Sequence, residues 1–302
     1  MRLVTFAQSG VPSLGVVEGD RVLNVEAAAG KFGASRIPAS MEGVIAGGAA
    51  ALAALGELAK KAAGEADLWS PLSAATLLSP IPRPNKNVFC VGRNYKAHIE
   101  EGARARGVPL VFPTVPEFFS KPPTSVIGHE ADIRLDTKLT EQLDYEVELA
   151  LVIGKTCRDI SVDEAMSAVF GYTVLNDVTA RDLQKRHHQW FKGKGLDTYC
   201  PIGPWIVTAD DFGDPSGRRV TLRVNGVTRQ DSSTSDLLFN CATIVSVLSQ
   251  GLTLEAGDIV ATGTPAGVAL GMTPQLWLVD GDVVEAEVEG VGILRNTVRA
   301  VA

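Results

Sequence analysis

The sequence predicts a β-rich α+β protein, with a dominant sheet, a few helices and no regular βαβ winding. Three observations carry that prediction. Short apolar runs recur along the chain, bounded by Gly, Pro, Asn and Asp, which is how strands and their turns read. One run, Val220–Val224, leads through Asn225-Gly226 into Val227–Gln230, the signature of a hairpin with a type I′ turn. Helical spacing is confined to a few stretches.

Taken in order, Arg2–Phe6, Ser13–Val17 and Arg21–Val25 read as a small meander with Gly-containing turns. Met41 to Ala63 is Ala-rich, with Val44, Leu52, Leu55 and Leu58 at roughly helical spacing and Lys60 and Lys61 near the end, where cations suit a helix C-terminus. Ser79-Pro80-Ile81-Pro82-Arg83-Pro84 favours an extended connector. The domain boundary is placed there, giving a small N-terminal α+β domain over residues 1–78 and the main domain over 85–302. In the main part Val88–Val91 is a short apolar run, and Tyr145–Ile153 and Gly171–Asn176 read as buried strands. Ser161 with Glu164 opens a helix by capping-box chemistry. Asp236 caps a helix that runs through Val247 and ends at Gly251. Asp258–Thr262, Asp282–Glu289 and Gly292–Ala300 supply further strands.

The 302 residues are 45% hydrophobic and 21% charged, an ordinary globular mixture that excludes a disordered or collagen-like chain. The net charge of −7 argues against nucleic acid, whose phosphates need clustered Lys and Arg. No apolar run approaches the roughly 18 residues of a membrane span, and the N-terminus lacks a signal-peptide core. Cys90, Cys157, Cys200 and Cys241 form no CxxC pair and read as reduced, mostly buried thiols of a cytoplasmic protein.

Several segments carry possible chemistry. In Asp144-Tyr145-Glu146-Val147-Glu148-Leu149, strand periodicity puts Glu146 and Glu148 on one face. Two carboxylates side by side in a buried strand repel each other and are costly to desolvate, and a divalent cation removes both problems. A solvated sheet face is the plainer reading. Asp177 ends the apolar run Phe170–Asn176 and offers a third carboxylate at a strand end, unless it is simply a turn acid. Three carboxylates make a hard oxygen shell, suited to Mg²⁺ or Mn²⁺. In Gly92-Arg93-Asn94-Tyr95-Lys96-Ala97-His98-Ile99-Glu100-Glu101, His98 and Glu101 share a helix face, which suits a general base as well as an ordinary surface pair. In Lys192-Gly193-Lys194-Gly195 the glycines let the backbone approach a ligand, with Lys194 to neutralise an enolate or carboxylate; a mobile basic loop is the alternative. The run Thr262-Gly263-Thr264-Pro265-Ala266-Gly267 after a strand presents N–H and O–H donors to an anion, or is a tight turn. His187-His188 and His129-Glu130 show no partner pattern.

Together and in this order, GRNYKAHIEE, FFSKPPTSVIG, LDYEVELALVIGK, GYTVLNDVTARDLQ, WFKGKGLDTYCPIGPWIV and GDIVATGTPAGV resemble the fumarylacetoacetate hydrolase family over roughly residues 85 to 300. The N-terminal segment is similar to the small domain appended in many bacterial members. The resemblance implies a mixed β-sandwich or roll, usually a homodimer, with one divalent metal per active site. It puts Glu146, Glu148 and Asp177 on the metal ligands, His98 and Glu101 on the catalytic dyad, carried by a helix that often acts as a lid, and Lys194 on the active-site lysine. Gln184 and Thr264 match substrate-contacting positions, and Lys121 and Arg181 lie in the matching motif segments. The implied activity is cleavage of a C–C bond in a short 2-oxo acid, by hydrolysis or decarboxylation. Isomerisation or hydration of an unsaturated 2-oxo diacid is the alternative, and a non-catalytic metabolite-binding protein a third. Arg104, Arg106 and Arg186 stand in or near loops where a second carboxylate could be read, or are solvated.

Overall fold

In the computed structural model of the protein, residues 1–8 and 10–301 are described. The chain opens with β1 (Arg2–Gln8), β2 (Val11–Glu18) and β3 (Arg21–Asn24). Helices α1 (Val25–Lys31) and α2 (Met41–Ala62) follow, then the short β4 (Trp69–Pro71) and β5 (Thr76–Leu77). Next come β6 (Val88–Gly92), α3 (Lys96–Arg106), β7 (Glu117–Lys121), β8 (Val126–Ile127), β9 (Asp132–Asp136) and β10 (Leu143–Asp144). The centre of the chain holds β11 (Val147–Ile153), α4 (Val162–Ala165), β12 (Val169–Asn176), β13 (Thr179–Ala180), α5 (Arg181–His187), α6 (Phe191–Lys194) and β14 (Cys200–Thr208). The last part is α7 (Ala209–Phe212), β15 (Arg219–Val224), β16 (Val227–Ser233), α8 (Cys241–Ser249), β17 (Ile259–Ala261), β18 (Val283–Val288) and β19 (Gly292–Val301).

Among the described residues the strands form two large sheets and a two-stranded ribbon of β10 and β13. The larger sheet runs β4-β3-β2-β1-β14-β12-β11-β17-β6-β7, and the smaller runs β16-β15-β18-β19-β9. Pairing is mostly antiparallel, as in the predicted β-rich α+β class. Every residue of β11 is buried, so the strand has two inner faces. Val147, Leu149, Leu151 and Ile153 join the core shared with Leu222, Val284, Ala286 and Leu294 of the smaller sheet. Ala150 and Val152 face the other way, into a core with Val44, Leu55 and Leu58 of α2. The period-two alternation of a strand thus separates two hydrophobic cores.

The N-terminal strands are built into the larger sheet: Arg2 and Leu3 of β1 pair with Val207 and Ile206 of β14. The connector over residues 79–84 is irregular and largely buried, with Thr5 Oγ1 donating to Pro80 O at 2.6 Å. Helix α2 is, by length and composition, long and apolar enough to cross a membrane, but Val44, Ile45, Leu55, Leu58 and Ala62 are buried in the core.

Most expected elements form. Asn225 (φ 52°) and Gly226 (φ 77°) make the type I′ turn. Three expectations shift. Val25 starts α1 instead of ending a strand, because the Asn24 side chain accepts from Ala27 N–H and caps the helix. Ser161 precedes only a single turn, and its hydroxyl donates to the Glu164 carboxylate instead of accepting from the backbone. Asn240, not Asp236, caps α8. The N–H groups of Leu238 and Phe239 donate to Asn94 O and Oδ1, which keeps this segment out of the helix, so the helix starts later.

Leu55→Ala should remove about 2–5 kcal/mol by opening a cavity between α2 and the larger sheet. Calorimetry should show a Tm several degrees lower, with divalent-cation binding by the folded protein unchanged.

Candidate active site

The register of the larger sheet gathers one set of strand ends. β11 is antiparallel to both β12 and β17, and β17 is parallel to β6. The start of β11, the ends of β12 and β17, and the turn from β6 into α3 therefore lie together. Glu146 and Glu148 come from the first, Asp177 from the second, Thr262–Thr264 from the third, and His98 from the first turn of α3 that follows the last.

Glu146, Glu148 and Asp177 are all buried, and each offers one carboxylate oxygen within 4.8 Å of the others. Glu148 Oε2 accepts from Gly263 N–H at 2.7 Å, and its other oxygen finds no donor among the described residues. Burial, then the charges of Asp177 and Glu146, push its carboxyl well above the ordinary range. Burial opposes ionisation of Glu146 too, but Lys194 and Arg181 overcome it and hold that carboxyl far below its usual range. An under-satisfied carboxylate between two acids, in an all-oxygen donor set, fits a hard divalent cation. These three residues would hold it.

Three cations share the cluster. Lys194 Nζ donates to Asp177 Oδ2 (2.6 Å), Glu146 Oε2 (2.9 Å) and Thr179 Oγ1 (2.9 Å). Burial disfavours its charge, but Asp177 and Glu146 outweigh that and raise its pKa. Lys121, fully buried, donates to Asp177 Oδ1 and to Val178 O. Arg181 spreads its guanidinium over three partners: Nε to Asp144 Oδ2 (2.8 Å), Nη2 to Glu146 Oε1 (2.5 Å) and Nη1 to Gln184 Oε1 (3.2 Å).

Lys194 ends α6 and is not on a mobile loop. Its flanking glycines serve packing and not ligand approach. A Cβ at Gly193 would lie 2.5 Å from Gln184 N, and one at Gly195 would lie 2.8 Å from Phe191 O.

The loop after β17 directs its N–H groups at the protein's own carboxylates. Gly263 N–H reaches Glu148, and Gly267 N–H reaches Glu101 at 3.0 and 3.2 Å. On α3, Glu101 Oε2 stands 3.4 Å from His98 Nδ1, without hydrogen-bond geometry, and that nitrogen has no partner among the described residues. The predicted pair is therefore adjacent, and the loop orients its acid.

His98, Glu146, Glu148, Arg181, Gln184, Lys194 and Thr264 line one cavity of about 840 Å³. Asp177, Lys121 and Glu101 stand behind that lining. Thr264 Oγ1 is committed, donating to Val147 O and accepting from Gln230 Nε2, both at 2.9 Å. One wall is aromatic: Phe119 and Trp190 meet edge to face at 5.4 Å, and Lys194 Nζ lies 5.0 Å from the Phe119 ring centre.

Sequence reasoning passed over several residues. Asp144 and Gln230 are fully buried and tie the site together. Gln230 pairs with the core residue Leu222, so it faces inward, and its Oε1 accepts from Val147 N–H at 3.0 Å. The signal was a glutamine in a strand whose partner is apolar. His188, discounted with His187, lines the cavity. Of the three candidate loop arginines only Arg106 lines it; burial and the nearby Arg181 lower its pKa. Its Nη1 lies 2.9 Å from where a Cβ would stand on Gly102, so that glycine gives the guanidinium room to fold back along α3.

Glu148→Gln should weaken Mn²⁺ binding, read by electron paramagnetic resonance, by more than the ~10–100-fold that loss of a supporting group costs at a metal site. The raised pKa of Glu148 sets the sign of a pH effect. Its contribution to stability is present below the ordinary carboxylate range and lost as pH rises through the raised value. A bound cation replaces the proton, so the Tm gain on adding Mn²⁺ should grow from mildly acidic to mildly alkaline buffer.

A family profile described as the fumarylacetoacetate (FAA) hydrolase C-terminal domain matches residues 87–299. The chain is 43% identical to the oxaloacetate tautomerase YisK of Bacillus subtilis over 94% of each. It is 41% identical to a fumarylacetoacetate hydrolase from psychrophilic Exiguobacterium antarcticum, whose structure it matches over all of both chains with a TM-score of 0.80. A maleylpyruvate hydrolase from Sphingobium sp. SYK-6, solved with manganese(II) and pyruvate, is 31% identical with a TM-score of 0.78 over all of both chains. With that match on most of its length and these relatives, the chain belongs to the fumarylacetoacetate hydrolase family.

Proposed function

We propose that this protein is a divalent-metal-dependent enzyme that interconverts the enol and keto forms of a short 2-oxo diacid of the oxaloacetate type. The observation that carries this is the buried triad Glu146, Glu148 and Asp177 in one cavity with Lys194 and His98. The tautomerase relative supports the reaction, and the manganese complex of the hydrolase relative supports the metal, Mg²⁺ or Mn²⁺.

When bound, the cation would hold the 2-oxo and adjacent carboxylate oxygens and favour the enolate. The rest falls to side chains. Lys194 brings positive charge to the cluster where negative charge grows on the substrate oxygen. His98 Nε2, the ring nitrogen turned away from Glu101, takes the proton from C3 and returns it to the enolate oxygen. Glu101 behind it stabilises the imidazolium in between. Only bonds to hydrogen change, and no water is consumed. Arg106, on the cavity lining and without an acid partner among the described residues, pairs with the distal carboxylate. The aromatic wall keeps water from the reacting carbons.

The second reading is the C–C cleavage implied by the sequence, by hydrolysis of an acylpyruvate or decarboxylation of oxaloacetate. The Sphingobium relative favours it. The same His98 would then activate water for attack on the distal carbonyl, or the carboxylate would leave as CO₂.

The deciding test gives EDTA-stripped protein Mn²⁺ and oxaloacetate, follows enol absorbance, and identifies products by NMR. Metal-dependent approach to keto–enol equilibrium without CO₂ supports the tautomerase. CO₂ and pyruvate, or turnover of acylpyruvates alone, favours the second reading. Arg106→Ala should raise KM for oxaloacetate about tenfold or more, as expected for losing a charge-assisted hydrogen bond of about 1.5–3 kcal/mol. His98→Asn should lower kcat by about 10²–10⁴-fold with Mn²⁺ affinity unchanged.

A further inference from the structure

We propose that Asp144 is a positioning residue that couples the metal-ligand cluster to the His98–Glu101 pair. The inference rests on the proposed reaction for its kinetic readout only. Asp144 is fully buried, and both of its oxygens are doubly used. Oδ1 accepts from Tyr145 N–H (2.9 Å) and Ala269 N–H (2.8 Å). Oδ2 accepts from Leu270 N–H (3.1 Å) and Arg181 Nε (2.8 Å).

Beyond the bond from the adjacent Tyr145, these bonds reach two parts of the site. Arg181 carries the constraint to Glu146, which its Nη2 holds at 2.5 Å, and to Gln184. The Ala269 and Leu270 bonds anchor the loop whose Gly267 N–H holds Glu101. The same loop packs against Glu101 at Gly271, where a Cβ would lie 2.2 Å from Glu101 Cγ and Cδ. One carboxylate thus sets two things: which way the Arg181 fork faces the metal-binding acids, and how far the loop lets Glu101 stand from His98. Glu101 lies on α3 and Glu146 at the start of β11, and Asp144 is joined to each through a single intervening element. A bound cation at Glu146 and a proton on His98 would share this support.

The test compares wild type with Asp144→Asn, alone and combined with Arg181→Lys or Glu101→Gln. The readouts are kcat and KM for oxaloacetate well below each Tm, and Mn²⁺ affinity by electron paramagnetic resonance. Asp144→Asn should lower kcat about 10–100-fold and weaken Mn²⁺ by about tenfold, the range for groups that orient metal ligands. Its effect on kcat should shrink markedly in both Arg181→Lys and Glu101→Gln backgrounds, because the partner it acts through is already lost. A lower Tm with kcat and Mn²⁺ affinity unchanged, or full additivity in both backgrounds, would overturn the proposal.

Should Asp144→Asn not fold, Ala269→Pro deletes one donor without touching the acid. Val268 has φ −71° and ψ 154°, a conformation that accepts a following proline. That variant should lower kcat and leave Mn²⁺ affinity intact; unchanged kcat would overturn the loop arm. The Mn²⁺ arm needs no substrate. If the reaction is wrong but the coupling right, every protein is inactive on oxaloacetate and Asp144→Asn still binds Mn²⁺ more weakly.

Discussion

Four carboxylates, those of Asp144, Glu146, Glu148 and Asp177, are buried within a few residues of two adjacent strands. Burying one charge without a partner costs several kcal/mol, so burying four dictates much of what surrounds them. Lys121 comes from β7, Lys194 from α6 and Arg181 from α5. The loop after β17 supplies N–H groups to Glu148 and Asp144. The short helices α5 and α6 owe their placement to this need. Gly193 lies against the backbone of Gln184, which lets α6 pack tightly on α5 and carry Lys194 into the cluster.

The β-sheet makes the concentration of charge possible. An antiparallel register places the start of β11 beside the end of β12, so acids distant in sequence meet without any long loop. The backbone adds a direct link, with Asp177 N–H donating to Glu146 O at 2.8 Å. Two hydrophobic cores, one on each face of β11, hold that register rigidly. A one-residue slip would drive Leu149 and Leu151 into the wrong core. Precision at the acids therefore comes from apolar residues farther along the same strands.

Much of this was legible in sequence. The strands around Glu146, Glu148 and Asp177, the hairpin at Asn225-Gly226 and the helix bearing His98 and Glu101 all follow from local patterns, because periodicity and turn chemistry act over a few residues. What stayed hidden depends on partners far away in the chain. The glycines flanking Lys194 looked like room for a ligand, since nothing nearby in sequence says that Gly193 packs against Gln184. The Thr262–Gly267 donors looked ready for an anionic ligand, yet they serve Glu148 and Glu101. Asp144 carried no local signal, because its partners Arg181, Ala269 and Leu270 lie 37, 125 and 126 residues away. Asp236 looked like the cap of α8, but the Phe239 N–H is taken by Asn94, 145 residues away, and the helix starts only after Asn240.

The charge balance also resolves how an acid-rich site in a protein of net charge −7 would receive an anion. Against the four buried carboxylates stand three buried cations, Lys121, Lys194 and Arg181; with a proton on Glu148 the cluster is balanced, and without that proton one negative charge is in excess. That excess favours a divalent cation and repels a carboxylate substrate. With the cation in place the sign of the cluster reverses to one positive charge, and the same acids become the scaffold of an anion-binding site. Cation binding and substrate binding would therefore be ordered by electrostatics alone, the cation first. Asp144 contributes to that balance: without its charge the cluster only reaches neutrality when Glu148 gives up its proton, and its pull on a divalent ion is correspondingly weaker.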